Sequence, residues 1–562
     1  MKEPMNACPR NRSAAANGFR DISLHCEHPS RARSAFLRVI VGSALTALGW
    51  DAIGSGVALA QAPLLTDVVR STEGDLQGVV ADGVNRFLGI PYAAPPVGEL
   101  RWQPPRDVTP WAQTLQATRF GNTCAQSQRG VFAAPSNTED CLYLNVFAPA
   151  SKPAQPANRL VMVWFYGGGL FSGESNDYDG SKLARRGDVV VVTLNYRVGA
   201  LGFLSHPAIN AEGHPFANYG IMDQQLALKW VQRNIAAFGG NPENVTIFGQ
   251  SGGGTAVMAN LQSPLSKGLF HRAINQSGTR IAVTPPTTAL KAGQDFAAAA
   301  GCGDQSAKCL RSLSVAQVLD HQASIVRYVA DFPSVDGTVI TQPAFEAFSK
   351  GLFNQVPIMT GLVRDEQAFF LPEPNTHKPL TEDDFDRYAA SFGAEHKETL
   401  LKAYPLGSYA SPSLAEIAMA QGAKACTARL LDEQWAKYVP VYAYQFDDRT
   451  APSYFPEVSY PMRAYHTAEL QYLFPLFRGG QGTSHPLSDA QERLSDVMVD
   501  YWTTFARHGM PDRTGEQASA NWPHYSAERD NIHSFDISGP KTVDGYGKAN
   551  DCSLWDTILS FQ

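Results

Sequence analysis

Two unbroken apolar runs, Leu160 to Tyr166 (LVMVWFY) and Val189 to Tyr196 (VVVVTLNY), constrain this chain more than any other feature. A strand with one wet face alternates polar and apolar residues. A run without alternation needs cover on both faces, which a parallel sheet flanked by helices provides. Met222 to Phe238 follows as a helix, with Leu226, Trp230 and Ile235 at helical spacing. Val245 to Phe248 reads as another buried strand and Ala273 to Asn275 as a further short one. Strands alternating with helices predict an α/β architecture around a large, mostly parallel sheet.

The flanks are less regular. Residues 63 to 110 read as short strands and turns, rich in Gly and Pro. From about Pro285 to Pro440 the chain is mainly helical stretches, with one strand expected at Pro357 to Leu362. A second strand is expected at Val441 to Phe446. Ser488 with Gln491 forms a capping box opening a helix through Leu494, Val497, Tyr501 and Phe505. No repeat or flexible linker interrupts this path, so residues 61–562 are expected to form one domain.

Residues 1–60 read as an export leader. Arg31, Arg33 and Arg38 precede the apolar stretch Val39 to Trp50, and Ala58-Leu59-Ala60 offers a cleavage site before Gln61. That stretch is shorter than the roughly 20 apolar residues a membrane span needs. Cys8 and Cys26 would leave with the leader. Cys124, Cys141, Cys302, Cys309, Cys426 and Cys552 remain, an even number that fits disulfides in an exported, periplasmic or secreted chain. With no C-x-x-C pair and no H-E-x-x-H, no metal site is expected, and no cofactor is implied. A net charge of −7 provides no basic excess for nucleic acid.

The chemistry concentrates at Gly249-Gln-Ser251-Gly-Gly253, a G-x-S-x-G straight after the Val245 strand. On a strand-to-helix elbow the serine backbone is strained, and glycines on either side avoid clashes. Ser251 would then stand clear of the sheet at a helix N-terminus. Tyr166-Gly167-Gly168-Gly169 follows another buried strand, and such a loop can aim backbone N–H groups at one oxyanion. A phosphate loop is disfavoured, since neither G-x-G-x-x-G nor G-K-[ST] is met. Chain order in this elbow architecture is Ser, then Asp or Glu, then His. His377, His396, His466, His485, His508, His524 and His533 all remain open as the base on that ground, with a modest local advantage to His466.

Further motifs are similar to those of the type-B carboxylesterase family, which includes the cholinesterases. Phe87-Leu-Gly-Ile-Pro-Tyr-Ala, Pro95-Pro-Val-Gly and Leu100-Arg-Trp resemble its opening. Glu139-Asp-Cys-Leu-Tyr-Leu-Asn-Val146 and Asn195-Tyr-Arg-Val-Gly-Ala-Leu-Gly-Phe203 resemble its later signatures, and the likeness runs from about Thr66 to Trp555. The resemblance implies an α/β-hydrolase fold with helical insertions over the active site. It implies Ser251 as nucleophile, His466 as base and Glu366, in Gly361-Leu-Val-Arg-Asp365-Glu366, as acid, with Asp365 the nearby rival. Gly168, Gly169 and Gly252 would donate to the oxyanion. The implied disulfides are Cys124 with Cys141, Cys302 with Cys309, and Cys426 with Cys552. Arg101 with Glu139 and Arg197 with Asp223 would be structural ion pairs.

Three residue patterns depart from the family's. Gly252 replaces the usual alanine after the nucleophile. Gln250 stands where cholinesterases carry a glutamate, and the Cys124 to Cys141 segment holds no Trp, which weighs against choline esters. The expected reaction is hydrolysis of a small-molecule carboxylic ester through an acyl-enzyme, with an acid limb in the rate–pH profile at about pH 6 to 7. The alternatives are acyl transfer, amide or thioester cleavage at the same site, or a non-catalytic binding module. Residues from about Thr279 to Tyr438 would roof the site, with Phe369 and Phe370 more readily core than substrate contacts. Oligomeric state and the natural ester are not legible.

Overall fold

The computed structural model describes residues 64–128, 134–151, 158–280, 284–329, 333–512 and 522–559. The leader expected over residues 1–60 lies outside them. Among the described residues twelve strands form one sheet and three short strands a second. Seven neighbours at the centre run parallel, in the order Val190–Leu194, Arg159–Phe165, Gly240–Gln250, Arg272–Gln276, Ile358–Val363, Val441–Phe446 and Ile532–Phe535. Both founding apolar runs are strands buried at every position, as their lack of alternation requires. Antiparallel strands extend the sheet on both sides, by way of Tyr143–Pro149 and Val84–Pro91 on one and Lys541–Val543 on the other. The fold is that of an α/β hydrolase.

The helix expected from Met222 begins earlier, as Tyr219–Asn234, and its last turn tightens to a 3-10 turn at Ile235–Phe238. Tyr219, Gly220 and Ile221 are buried, so the start carries no polar stripe to mark it. Gly239 closes the turn at φ 83°, a left-handed conformation that a Cβ would resist. The capping box at Ser488 and Gln491 is present and starts the helix Asp489–His508. Among the described residues between 286 and 436 nine α-helices lie outside the sheet order, and the longest is Pro412–Ala436.

Arg101 pairs with Glu139, and Arg197 makes three bonds of 2.8–2.9 Å to the buried carboxylate of Asp223. Removing one partner of so buried a pair strands the other charge, at a cost of about 3–5 kcal/mol. Disulfides join Cys124 to Cys141, Cys302 to Cys309 and Cys426 to Cys552, the implied pairings. The third ties the Pro412–Ala436 helix to the C-terminal helix Cys552–Ile558, over a satellite core of Phe385, Leu400, Met419 and Trp555. No described helix is long and apolar enough to cross a membrane.

Candidate active site

The chain steps from Arg159–Phe165 to Val190–Leu194 on one side, then returns to Gly240–Gln250 on the other. That reversal is a topological switch point, and sheets of this kind bind their ligands beside it, at the carboxyl ends of the strands. Gly249 pairs with Phe165, Gln250 with Gln276, and Gln276 with Gly361. The glycine loop, Ser251, Ser277 and the segment leading to Glu366 therefore all leave the sheet at one edge.

Ser251 sits in the elbow with φ 57° and ψ −119°. A non-glycine residue there is strained, and the surroundings hold it. Its N–H donates to the Gln276 carbonyl at 2.8 Å, and its carbonyl accepts from Thr255 N–H at 2.9 Å, opening the helix Gly252–Gln262. A Cβ on Gly253 would lie 1.9 Å from the Phe165 carbonyl oxygen, and one on Gly249 2.5 Å from that of Gly253. Both flanking glycines are thus demanded by space as well as by the turn.

The glycine loop folds back on the elbow. A Cβ on Gly167 would stand 3.3 Å from that of Ser251, and one on Gly252 2.6 Å from the Gly169 nitrogen. Gly168 and Gly169 have φ of 104° and 65°, so the loop turns through conformations open to glycine. The Gly169 nitrogen thus lies against the start of the Gly252–Gln262 helix, beside Ser251. Tyr166 and Tyr196 brace this loop by stacking at 4.2 Å, each hydroxyl donating to the other's carbonyl.

His466 and Glu366 meet through a backbone device. An isolated parallel bridge pairs Asp365 with Tyr465, and Asp365 N–H donates to the Ala464 carbonyl at 2.8 Å. The next residue on each side is Glu366 and His466, and Glu366 Oε2 contacts His466 Nδ1. The opposite oxygen, Oε1, accepts from Ser277 Oγ at 2.6 Å and Val363 N–H at 3.2 Å. Asp365 faces away and pairs with Arg449, so the rival carboxylate does not reach the imidazole. Among the seven candidate histidines only His466 is brought into this cluster; His533, for example, stacks on Trp522 at 4.6 Å.

Burial pushes the His466 imidazole below its ordinary range, and the Glu366 charge and hydrogen bond only partly oppose that. Burial would raise Glu366, yet the charge and hydrogen bond of His466, with Lys424 and Ser277, hold it below its usual value. Glu469, buried and facing the Glu366 charge, is pushed up to about 8 and is neutral at pH 7.

Two neighbours, Ser277 and Lys424, escaped the sequence reading. Ser277, at φ 52°, lies in a turn with no motif. Gln250 Nε2 stands 3.3 Å from His466 Nε2, a contact its place in the elbow did not announce. Phe369 and Phe370 are half-buried, Phe369 packing against the main core, and their rings lie 5.1 and 4.8 Å from the imidazole ring. Lys424, from the Pro412–Ala436 helix, places Nζ 4.3 Å from the Phe370 ring centre. No group of three or more His, Cys, Asp or Glu side chains able to hold a metal occurs among the described residues.

Compared with known proteins, the chain matches the profile described as "Carboxylesterase family" over residues 66–555. It belongs to the carboxylesterase family. This carboxylesterase is 33% identical over 493 residues to the para-nitrobenzyl esterase of Bacillus subtilis (strain 168), covering 82% of this chain and 93% of that protein. It is 34% identical over 533 residues to the fumonisin B1 esterase of Sphingopyxis macrogoltabida, covering 90% of this chain and 94% of that one. A solved structure of a PNB esterase superposes with a TM-score of 0.74 at 30% identity, covering 87% of this chain and 99% of that chain. Carboxylic ester hydrolysis is the enzyme class that follows.

Proposed function

We propose that this carboxylesterase works through a Ser251–His466–Glu366 triad and a covalent acyl-enzyme. His466 Nε2 takes the Ser251 Oγ proton as the oxygen attacks the ester carbonyl, and Glu366 orients the imidazole and stabilises its cation. The N–H groups of Gly168, Gly169 and Gly252 hold the oxyanion. The proton then passes to the leaving alcohol, and water, activated by the same histidine, releases the acid. The observation that carries this reading is the buried Glu366–His466 contact at the strand edge from which Ser251 emerges in a strained elbow.

Among the described residues no hydrogen bond joins Ser251 Oγ to His466, whose Nε2 accepts from the Gln250 amide instead. Such a bond need only tighten in the substrate complex. The Gln250 contact keeps a lone pair on Nε2, which places the ring proton on Nδ1, against Glu366. That is the tautomer a general base requires.

The experiment is turnover of a para-nitrophenyl ester by Ser251→Ala. Activity is expected to fall by about 10³-fold or more, and an unchanged rate would reject Ser251. Paired rates for matched ester, amide and thioester then set the acceptor and bond preference. We also propose export with removal of residues 1–60. Three disulfides support an oxidising compartment, and a mature N-terminus at Gln61 is the expected readout.

A further inference from the structure

A cleft of about 530 Å³ opens where Asp365 faces away from the triad, and none of Ser251, Glu366 and His466 lines it. Its volume is that of a small-molecule site. One wall belongs to the Pro412–Ala436 helix. Leu414, Ile417, Ala418 and Gln421 follow one another at helical spacing and share the face that lines the cleft. Ile417 is buried, and Leu414 and Ala418 are half-buried. This face is therefore mainly apolar. Gln421 is the exception, because both ends of its amide are buried without a partner. Buried polar groups are nearly always paired, so the wall keeps hydrogen-bonding capacity that the chain itself does not use.

The charged part of the lining consists of three guanidiniums, Arg364, Arg449 and Arg463, and two carboxylates, Asp365 and Asp551. Arg449 takes both oxygens of Asp365, at 2.9 and 2.5 Å, and Arg364 stands 3.4 Å from Asp447. Arg463 is left over. Its ion-pair contact to Asp365 Oδ1 is 3.8 Å long, and among the described residues its guanidinium donates no hydrogen bond. Asp551 is exposed and, among the described residues, pairs with none of the three. A guanidinium with five donors and no acceptor thus borders a cleft with an apolar wall.

We propose that this cleft is a second ligand site, separate from the ester site, for a small amphipathic carboxylate. The carboxylate accepts from Arg463 and Arg449, and the hydrocarbon body lies along Leu414, Ile417 and Ala418. Guanidiniums hold a carboxylate through charge-assisted hydrogen bonds that a neutral group of the same shape does not replace. Asp365 joins the two sites. It lines the cleft, its N–H donates to the Ala464 carbonyl, and its chain neighbour is Glu366. Binding here does not depend on Ser251 being the nucleophile.

The test is calorimetric titration of the purified protein with 4-phenylbutyrate and with the neutral 4-phenylbutanamide. One site is expected for the carboxylate, with the amide about tenfold weaker. Arg463→Gln should weaken phenylbutyrate about tenfold and leave the amide unchanged, and Arg463→Lys should recover part of the loss. Because the Arg463 guanidinium makes no hydrogen bond within the chain, Arg463→Gln should keep the wild-type urea midpoint, which shows that it is folded. Ala418→Phe fills the cleft from the helix wall and should weaken acid and amide alike. No binding of phenylbutyrate, equal affinity for acid and amide, or full phenylbutyrate affinity in Arg463→Gln overturns the proposal. Titration after organophosphonate fluoride treatment separates the two sites. Unchanged affinity is expected, and loss of binding would put phenylbutyrate in the ester site and overturn the second one. If the reagent leaves folded protein unmodified, the ester-site reading fails, while the Arg463 comparison still decides this one.

Discussion

Gln250 Nε2 lies 3.3 Å from His466 Nε2, the ring nitrogen left free once Nδ1 has turned to Glu366. An amide N–H donating there favours the neutral ring, whereas a carboxylate would favour the imidazolium. Gln250→Glu is therefore expected to raise the His466 pKa. The base is lost as it becomes protonated, so the acid limb of kcat/KM should move to higher pH by the same amount. A pH profile in both proteins reads this directly, and coincident limbs would show that Gln250 does not act on His466.

In the unmodified protein burial lowers His466, so the neutral imidazole persists below the ordinary range. Activity on a neutral ester is expected to decline only below about pH 6.5. Glu366→Gln removes the charge that props the imidazole up, and its amide can donate to Nδ1 and force the proton onto Nε2. That tautomer cannot accept from Ser251, and kcat should fall by about 10³- to 10⁴-fold. A loss of less than about tenfold would deny Glu366 its role.

Gly252 permits a closer approach than the alanine usual in the family. A Cβ would meet the Gly169 nitrogen at 2.6 Å and that of Leu170 at 2.8 Å. Since backbone must move to make room, Gly252→Ala is expected to shift the oxyanion donors and lower kcat by about tenfold, with KM less affected. Wild-type kcat in this variant would show that the loop yields at no catalytic cost.

Cys426 and Cys552 close a loop of 126 residues and fix the helix that carries Lys424. Replacing both by Ser should lower unfolding free energy by about 2–4 kcal/mol, chiefly by releasing the unfolded chain. The urea midpoint measures it, and an unchanged midpoint contradicts the expected contribution.

Six of the seven parallel strands are legible because burial on both faces erases alternation, as at Leu160 to Tyr166, whereas Ile532–Phe535, with His533 and Ser534 inside it, gives no such run. Gly249 and Gly253 were legible because an elbow leaves no room for a Cβ. Tyr143–Pro149 was not read as a strand, although its first four residues sat within a recognised motif. The acid and base were assigned by resemblance, because what brings Glu366 to His466 is a bridge between residues 100 positions apart in sequence. Ser277 and Lys424 carry no local pattern at all. Ser277 reaches Glu366 across 89 positions, and Lys424 looks in sequence like any lysine on a helix.

The most direct measurement is the intact mass of purified, signal-free protein after treatment with an organophosphonate fluoride, followed by mapping of the modified peptide. The account predicts one adduct per chain, on Ser251, absent after heat unfolding and absent in Ser251→Ala. No adduct in folded protein, or an adduct on another serine, would contradict it.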